Sequence, residues 1–600
     1  MSIFNAKIFL PLCAAGIFMG YMMAEHVMPK YFHPTPETKL TITDIYQAIG
    51  EQPHYFRQTL SGNYLSGQFA QRHKDWNMAH EFIERVGNRD RTNTDIQKHN
   101  MVLSMASGEV EQAVELSRKV LETTPDDILA IMFSSLGYFK NENYDKVKQQ
   151  LNNAQDNNVA SFISPVLKLW ANTPQETLST EELQPNSFYS YQVLLAGKYT
   201  KQNKKALKFA LDSFRLDEID LRDLEKYADL FALYGENQKA LELYKIVDEN
   251  WSTDEKLKNK ITALENNQPI TTLIKTLEVN SPKDGAALVF LDMAEILMRE
   301  KSDDSATIFA QMALHLNPNL HSAYSIIANV YKHNKRSTDA ITTLKKIPQS
   351  SELYIPSQRQ IAEIYAQNDK HEEAIKVLKQ LHATKENIEA LIQIGDIHRY
   401  KEDYNTAINQ YNKVFELIGE PTQEYWHILY ARGMSYERIK EFKKAENDLE
   451  KALKFKPDNP YLLNYLGYSW VDQGINLDRS LEMIKKAVLA LPRDGYITDS
   501  LGWAHYKMGN YEEAVPVLER AVELLPYDAT INDHLGDAYW QVKRFQEANF
   551  QWQRAFNHIE TDTEKKELTE KLKQKLISGL IENIATAASN TAVTKDETSQ

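Results

Sequence analysis

The feature that most constrains this chain is a small side chain that returns every 34 residues. Ala79, Ala113, Ala206, Ala240, Ala306, Ala340, Ala374, Ala407, Ala445, Ala514 and Ala548 hold one such place, and Val147 and Ser480 take it in two further units. The steps 79→113→147, 206→240, 306→340→374 and 514→548 are each 34. Twelve positions earlier lies a second small residue: Gly67, Ala228, Ala294, Ala328, Ala362, Gly395, Gly433, Gly502 or Gly536. Two helices cross closely only where both present small side chains, so the pair marks the contact of a helix–turn–helix unit. Tyr331, Tyr365, Tyr411 and Tyr436 lie nearby to fill the remaining space. Twelve positions after the small residue, Pro125, Pro318, Pro457, Pro492 and Pro526 end the second helix and turn the chain into the next unit.

Composition agrees with a long helical array rather than with four separate domains. Glycine numbers 21 in 600, about half the usual ~7%, too few for a β-sandwich or for the many tight loops of an α/β enzyme. The single Cys13 excludes a disulfide framework and a Cys-rich metal site. A net charge of −14 argues against nucleic acid as a partner.

The segment DSLGWAHYKMGNYEEAVPVLERAVELLP (Asp499 to Pro526) and its successor DHLGDAYWQVKRFQEANFQWQRAFNHIE (Asp533 to Glu560) resemble tetratricopeptide repeats. The resemblance implies an all-α fold of tetratricopeptide-type helix–turn–helix repeats stacked as a right-handed superhelical solenoid. About 14 units are expected over 41–560, each burying its apolar face only against its neighbours. The organisation expected is a TPR block at 42–155, degenerate helical repeats at 156–285 and a second TPR block at 286–560. The phase weakens at Pro165, Pro174 and Pro185 and again at Asn280-Ser281-Pro282, so bends are expected near 155–200 and 250–285. Gly474-Ile475-Asn476-Leu477 carries one extra turn residue, because Gly467→Gly502 is 35. A capping helix is expected at 561–584, opened by Thr561 and Glu564 and striped by Leu568, Leu572, Leu576 and Leu580, with a solvated Lys/Glu face. A disordered tail is expected at 585–600.

At the other end, Lys7 precedes an uncharged apolar run from Ile8 to Ala24. Residues 1–24 read as a signal peptide or an N-terminal membrane anchor that sends the rest of the chain across the membrane. Residues 25–41, with Pro29, Pro34 and Pro36, read as an extended tether. Cys13 follows Leu10-Pro11-Leu12 inside the run and reads as apolar filler rather than a lipidation site.

No constellation of catalytic residues emerges. Gly62-x-x-x-x-Gly67 is followed by Gln68 where a phosphate loop needs lysine, and Ala79-His80-Glu81 lacks the second histidine of a zinc motif. No cofactor and no metal site are expected, and the chain reads as no enzyme. The functional surface expected is the concave face lined by first helices. The phase of Gly467, Gly502 and Gly536 places Tyr461, Asn464, Tyr468, Tyr496, Asp499, Trp503, Tyr506, Asp533, Asp537 and Trp540 on or near it. Asp533 and Asp537 are one helical turn apart, a like-charge pair that repels unless something basic lies between them. Some tetratricopeptide domains hold a partner's terminal carboxylate with Lys and Asn on first helices; Asp499, Trp503, Asp533 and Asp537 have the wrong charge for that clamp.

The stretch from Asn464 to Trp552 resembles the C-terminal repeats of large TPR envelope proteins from Gram-negative bacteria, and GNYLSGQFAQRHKDWNMAHEF resembles the first repeat of proteobacterial relatives. The function this implies is a scaffold or adaptor, exported or membrane-tethered in a bacterial envelope, that binds protein or peptide partners along its groove. The alternatives are a regulatory or targeting subunit of a separate enzyme, such as an envelope protease, and a cytoplasmic-facing assembly factor.

Overall fold

A computed structural model describes residues 59–154, 158–250, 255–274, 279–384, 387–559 and 565–580. The leader and tether at 1–41, the box residues Thr561 and Glu564, and the tail at 585–600 lie outside the described residues. Among those described, secondary structure is helical throughout, and the helices pair in sequence order as antiparallel hairpins.

The turn inside each hairpin fixes the register. A residue with left-handed backbone sits five positions before the small residue of the second helix: Lys74, Gly108, Glu142, Lys201, Gly235, Lys301, Lys335, Asp369, Glu402, Lys440, Gly509 and Lys543 all have positive φ. In the longer turn, Gly474 and Asn476 are both left-handed, which accommodates the extra residue. The turn between repeats is set by proline. Helices ending at Thr123, Leu316, Phe455, Ala490 and Leu524 each stop two residues before the proline. The residue between (Thr124, Asn317, Lys456, Leu491 or Leu525) has φ between −130° and −138°. The proline ring forbids its predecessor the helical region, so the chain leaves the helix there.

The small residues work as expected, with one refinement. A side chain on Gly67, Gly395, Gly433, Gly502 or Gly536 would strike Ile83, Tyr411, Leu449, Leu518 or Trp552 respectively. The glycine is thus covered by a large residue sixteen positions on, one turn beyond the small residue. The small residue lets the second helix approach; the larger one fills the gap that the glycine leaves.

The described residues divide into two compact units, Met1–Val377 and Leu378–Gln600. In the second, each hairpin packs on the next, and first helices of adjacent repeats touch each other. The first departs from the nearest-neighbour stack that the sequence suggests. Its Pro282–Arg299 helix packs on Asn158–Asn172 and Ser187–Tyr199, and its Asp303–Leu316 helix packs on Thr94–Ser107 and Ile128–Lys140. These contacts skip whole repeats. Pro165 does not interrupt the chain as expected: the Asn158–Asn172 helix runs through it. Pro282 opens a helix rather than only breaking the phase, at its first position behind the N-cap Ser281.

Candidate functional site

The ten residues singled out from sequence all fall on first helices of the second unit, and the structure sorts them by exposure. Tyr461 and Tyr496 stand near the N-terminal ends of the Pro460–Gln473 and Gly495–Lys507 helices, 53% and 60% exposed. Asn464 and Tyr468, further along the first of these helices, are half-buried. Burial, and secondly the Asp499 carboxylate, push the Tyr468 hydroxyl pKa well up, so this ring offers a neutral phenol at any ordinary pH.

Three rings form a stack on this face. Trp503 lies parallel to Tyr506 at 4.6 Å between centroids and to His534 at 3.9 Å. His534 Nδ1 is 3.0 Å from both oxygens of Asp499. Burial favours the neutral imidazole, but attraction and hydrogen bonding from Asp499 outweigh it, and the His534 pKa rises above its ordinary value. An imidazolium against an indole face adds a cation–π attraction to the stack.

The three aspartates are where sequence and structure part. Asp499, Asp533 and Asp537 are buried, 6–7% exposed, rather than solvated walls of a groove. Lys575, on the Lys565–Ser578 helix, places its ammonium 2.7 Å from both Asp533 and Asp537. Asp537 also accepts a hydrogen bond from Trp552 Nε1 at 2.9 Å. Desolvation, with Asp533 close by, raises the Asp537 carboxyl pKa to about 6 against the pull of Lys575. Something basic does lie between the pair, and it comes from the same chain. The Lys/Glu face of the last helix is correspondingly not all solvated, since the Lys575 side chain is only 14% exposed. The same buried side of that helix carries Leu572, three residues before Lys575 and fully buried, with Leu568 and Leu576 beside it; Leu580, past the helix end at Ser578, packs against the same core. Trp540 belongs to this core too, 5.3 Å from Trp552 and 4.7 Å from Phe545, and close enough to Gly579 that a side chain there would overlap its ring.

The ten residues therefore form two groups. Tyr461, Asn464, Tyr468, Tyr496, Trp503 and Tyr506 line an aromatic face, whereas Asp533, Asp537 and Trp540 are covered by the last helix and Asp499 is paired to His534. Sequence reasoning missed His534, Trp552 and Lys575. Trp552 was findable as the residue sixteen positions after Gly536. Lys575 was not, because it lies outside the repeat phase. No group of three or more His, Cys, Asp or Glu side chains able to hold a metal occurs among the described residues.

The tetratricopeptide repeat profiles match residues 388–420, 426–459 and 500–557, all within the second unit. The chain carries tetratricopeptide repeats. A TPR repeat-containing protein of Pseudomonas aeruginosa is 33% identical over 109 residues, 18% of each chain. The BBSome complex member BBS4 of Bos taurus is 31% identical over 112 residues, 18% of this chain and 20% of its own. The chain thus spans about a fifth of the length of these curated relatives. A crystal structure of a tetratricopeptide repeat protein from Parabacteroides merdae aligns over 43% of this chain and 99% of its own, at 17% identity and a TM-score of 0.36.

Proposed function

We propose that this chain is a non-enzymatic scaffold that holds a protein or peptide partner on the aromatic face of its second unit. The observation that carries this reading is the pair of exposed rings, Tyr461 and Tyr496, on adjacent first helices, with Trp503 and its stack two helical turns after Tyr496 on the same helix face. Rigid aromatic side chains supply large contact area at small entropic cost, which is why they dominate binding hot spots. The acidic half of the expected site drops out of the reading, since its carboxylates are already neutralised within the chain. Placing a photo-crosslinking amino acid at Tyr461 or Tyr496, with Leu489 (82% exposed on a second helix) as control, tests the face in the native host. The two tyrosine positions should capture a protein that the control does not. Identical products from all three positions would sink the assignment.

The location belongs to the same proposal. The apolar run Ile8 to Ala24 behind Lys7 supports export or membrane tethering in a bacterial envelope. A partner there would be an envelope protease or an assembly complex, which the identity of the crosslinked product decides. Fusing residues 1–45 to a reporter active only outside the cytoplasm tests export, and a silent fusion would remove it.

A further inference from the structure

The one-residue insertion at Gly474-Ile475-Asn476 has a consequence on a different face. Where the second helix of one repeat begins (Phe442–Phe455) and the first helix of the next ends (Pro460–Gln473), a cavity of about 440 Å³ opens to solvent. Leu466 and Trp470, each 1% exposed, belong to its lining, and Phe442 and Ile475 add apolar surface 37% and 43% exposed. Ile475 is the residue between the two left-handed positions Gly474 and Asn476.

The charges beside this apolar lining are unbalanced. Of the carboxylates, Glu441 pairs with Lys444 at 3.3 Å, and Glu446 accepts the Trp470 indole N–H at 3.0 Å, a bond that leaves its charge in place. Lys440 and Lys443 also line the cavity and enter no ion pair among the described residues, so with Glu441 neutralised the lining keeps a net excess of one positive charge. An apolar pocket with two uncommitted ammonium groups complements an apolar side chain whose neighbours are acidic; a basic segment would meet repulsion.

We propose that this inter-repeat pocket is a second docking site, separate from the aromatic face, for a protein segment that presents one large apolar side chain flanked by acidic residues. The apolar side chain fills the space between Phe442 and Ile475 at the edge of Trp470, whose ring face is covered by the Arg479 guanidinium 4.7 Å from its centroid, and the flanking carboxylates meet Lys440 and Lys443. Burying apolar surface supplies the holding energy, and the lysines select the sign of the partner.

The test uses the full chain and the acetylated, amidated peptide Asp-Glu-Phe-Asp-Glu, followed by polarisation of a fluorescent label and by the isoleucine methyl spectrum. Binding should shift the Ile475 methyl signal. It should weaken at least fivefold with Ala in place of Phe in the probe, and at least fivefold in Ile475→Asp. Lys440→Glu with Lys443→Glu should turn the preference toward the charge-swapped peptide Lys-Arg-Phe-Lys-Arg. Glutamate already occupies the left-handed turn position at Glu142 and Glu402, so the first of these changes introduces no new backbone strain. Unchanged melts of the variants establish that the fold is intact. Equal affinity for the wild type and Ile475→Asp, indifference to the Phe→Ala change in the probe, or methyl shifts confined to other isoleucines would each overturn the proposal.

Discussion

The two units solve the same packing problem differently. In Leu378–Gln600 a second helix such as Phe442–Phe455 buries only Ala445, Asp448, Leu449 and Ala452, one stripe facing its neighbours. In Met1–Val377 the Pro282–Arg299 helix buries eleven of its 18 residues, and Asp303–Leu316 buries ten of 14. A helix apolar on all sides has to be enclosed on all sides, and stacking alone encloses two. The first unit meets this need by bringing remote repeats onto these helices, and it pairs polar groups across the closure. Trp170 Nε1 donates to Gln192, which donates to Asp292; Lys226 lies 3.1 Å from Asp292; Arg299 lies 2.8 Å from Asp223. The second unit covers its end with the last helix instead. A linear stack comes apart repeat by repeat, whereas a closed one must open as a body.

The largest effect should come from breaking the closure. A side chain at Gly285 would lie 2.1 Å from the Trp170 ring, which is fully buried and has nowhere to move. Gly285→Val should cost roughly 4 kcal/mol. Hydrogen exchange should then quicken across 94–316 together, while 460–557 keeps its protection. Loss confined to 282–316 would show that the first unit is a linear stack after all.

Next is Ala514→Glu in the second unit. Ala514 is fully buried in the hairpin of Gly502, and a carboxylate there costs roughly 3 kcal/mol. Exchange should rise only in 495–557, the altered repeat and its follower. An unchanged melt would show the repeat register to be misplaced.

Much of that register was legible because periodicity is a local property. Ala514, Gly502 and Pro526 announce the hairpin within 25 residues. The closure of the first unit has no period, and its only trace is the unbroken apolar run Ala286-Ala287-Leu288-Val289-Phe290-Leu291, which does not say which helices cover it. In the candidate site the phase put Tyr461 and Tyr496 at positions that are exposed, but it did not show that Trp540 lies under the last helix. Nor did it settle the carboxylates, since whether Asp533 is a solvated wall or a buried ion depends on Lys575, 42 residues away. Charge in a sequence is unsigned with respect to burial, and only the partner settles it.

Lys575→Ala tests that partner. It leaves two buried carboxylates without their cation, at a cost of roughly 2 kcal/mol, and loosens the last helix. Exchange should rise from Ala529 onward and nowhere in the first unit. Stability unchanged at pH 7 would mean that the helix is held by Leu572 and its neighbours alone.

The same site sets a pH dependence. Both His534 and Asp537 have folded pKa values above their ordinary ones. Groups shifted upward contribute stability at low pH and lose it as pH rises through the folded value. For Asp537 that loss runs from the ordinary ~4 of a carboxyl up to about pH 6; for His534 it begins above its ordinary ~6.5. Melting of the second unit should therefore fall between pH 5 and pH 8, by roughly 1 kcal/mol. His534→Gln should flatten the upper half of that slope, and a melting temperature that climbs over this range would contradict the assignment.

The smallest effect distinguishes the units by sign. Lys74 and Lys543 occupy the same left-handed turn position, with φ of 58° and 66°. A non-glycine residue is strained there, so glycine should relieve roughly 0.5–1 kcal/mol, less its own entropy in the unfolded chain. Lys543 is exposed and makes no ion pair among the described residues, so Lys543→Gly should raise the melting temperature slightly. Lys74 pairs with Asp304, across the closure, and lies 5.4 Å from the Trp76 ring centroid. Removing it gives up both contacts, and Lys74→Gly should lower stability despite the same relief of strain. Two identical substitutions at equivalent positions should then move the melts in opposite directions. If both rise together, the Lys74–Asp304 pair contributes nothing, and the polar contacts of the closure are decoration on a core that would close without them.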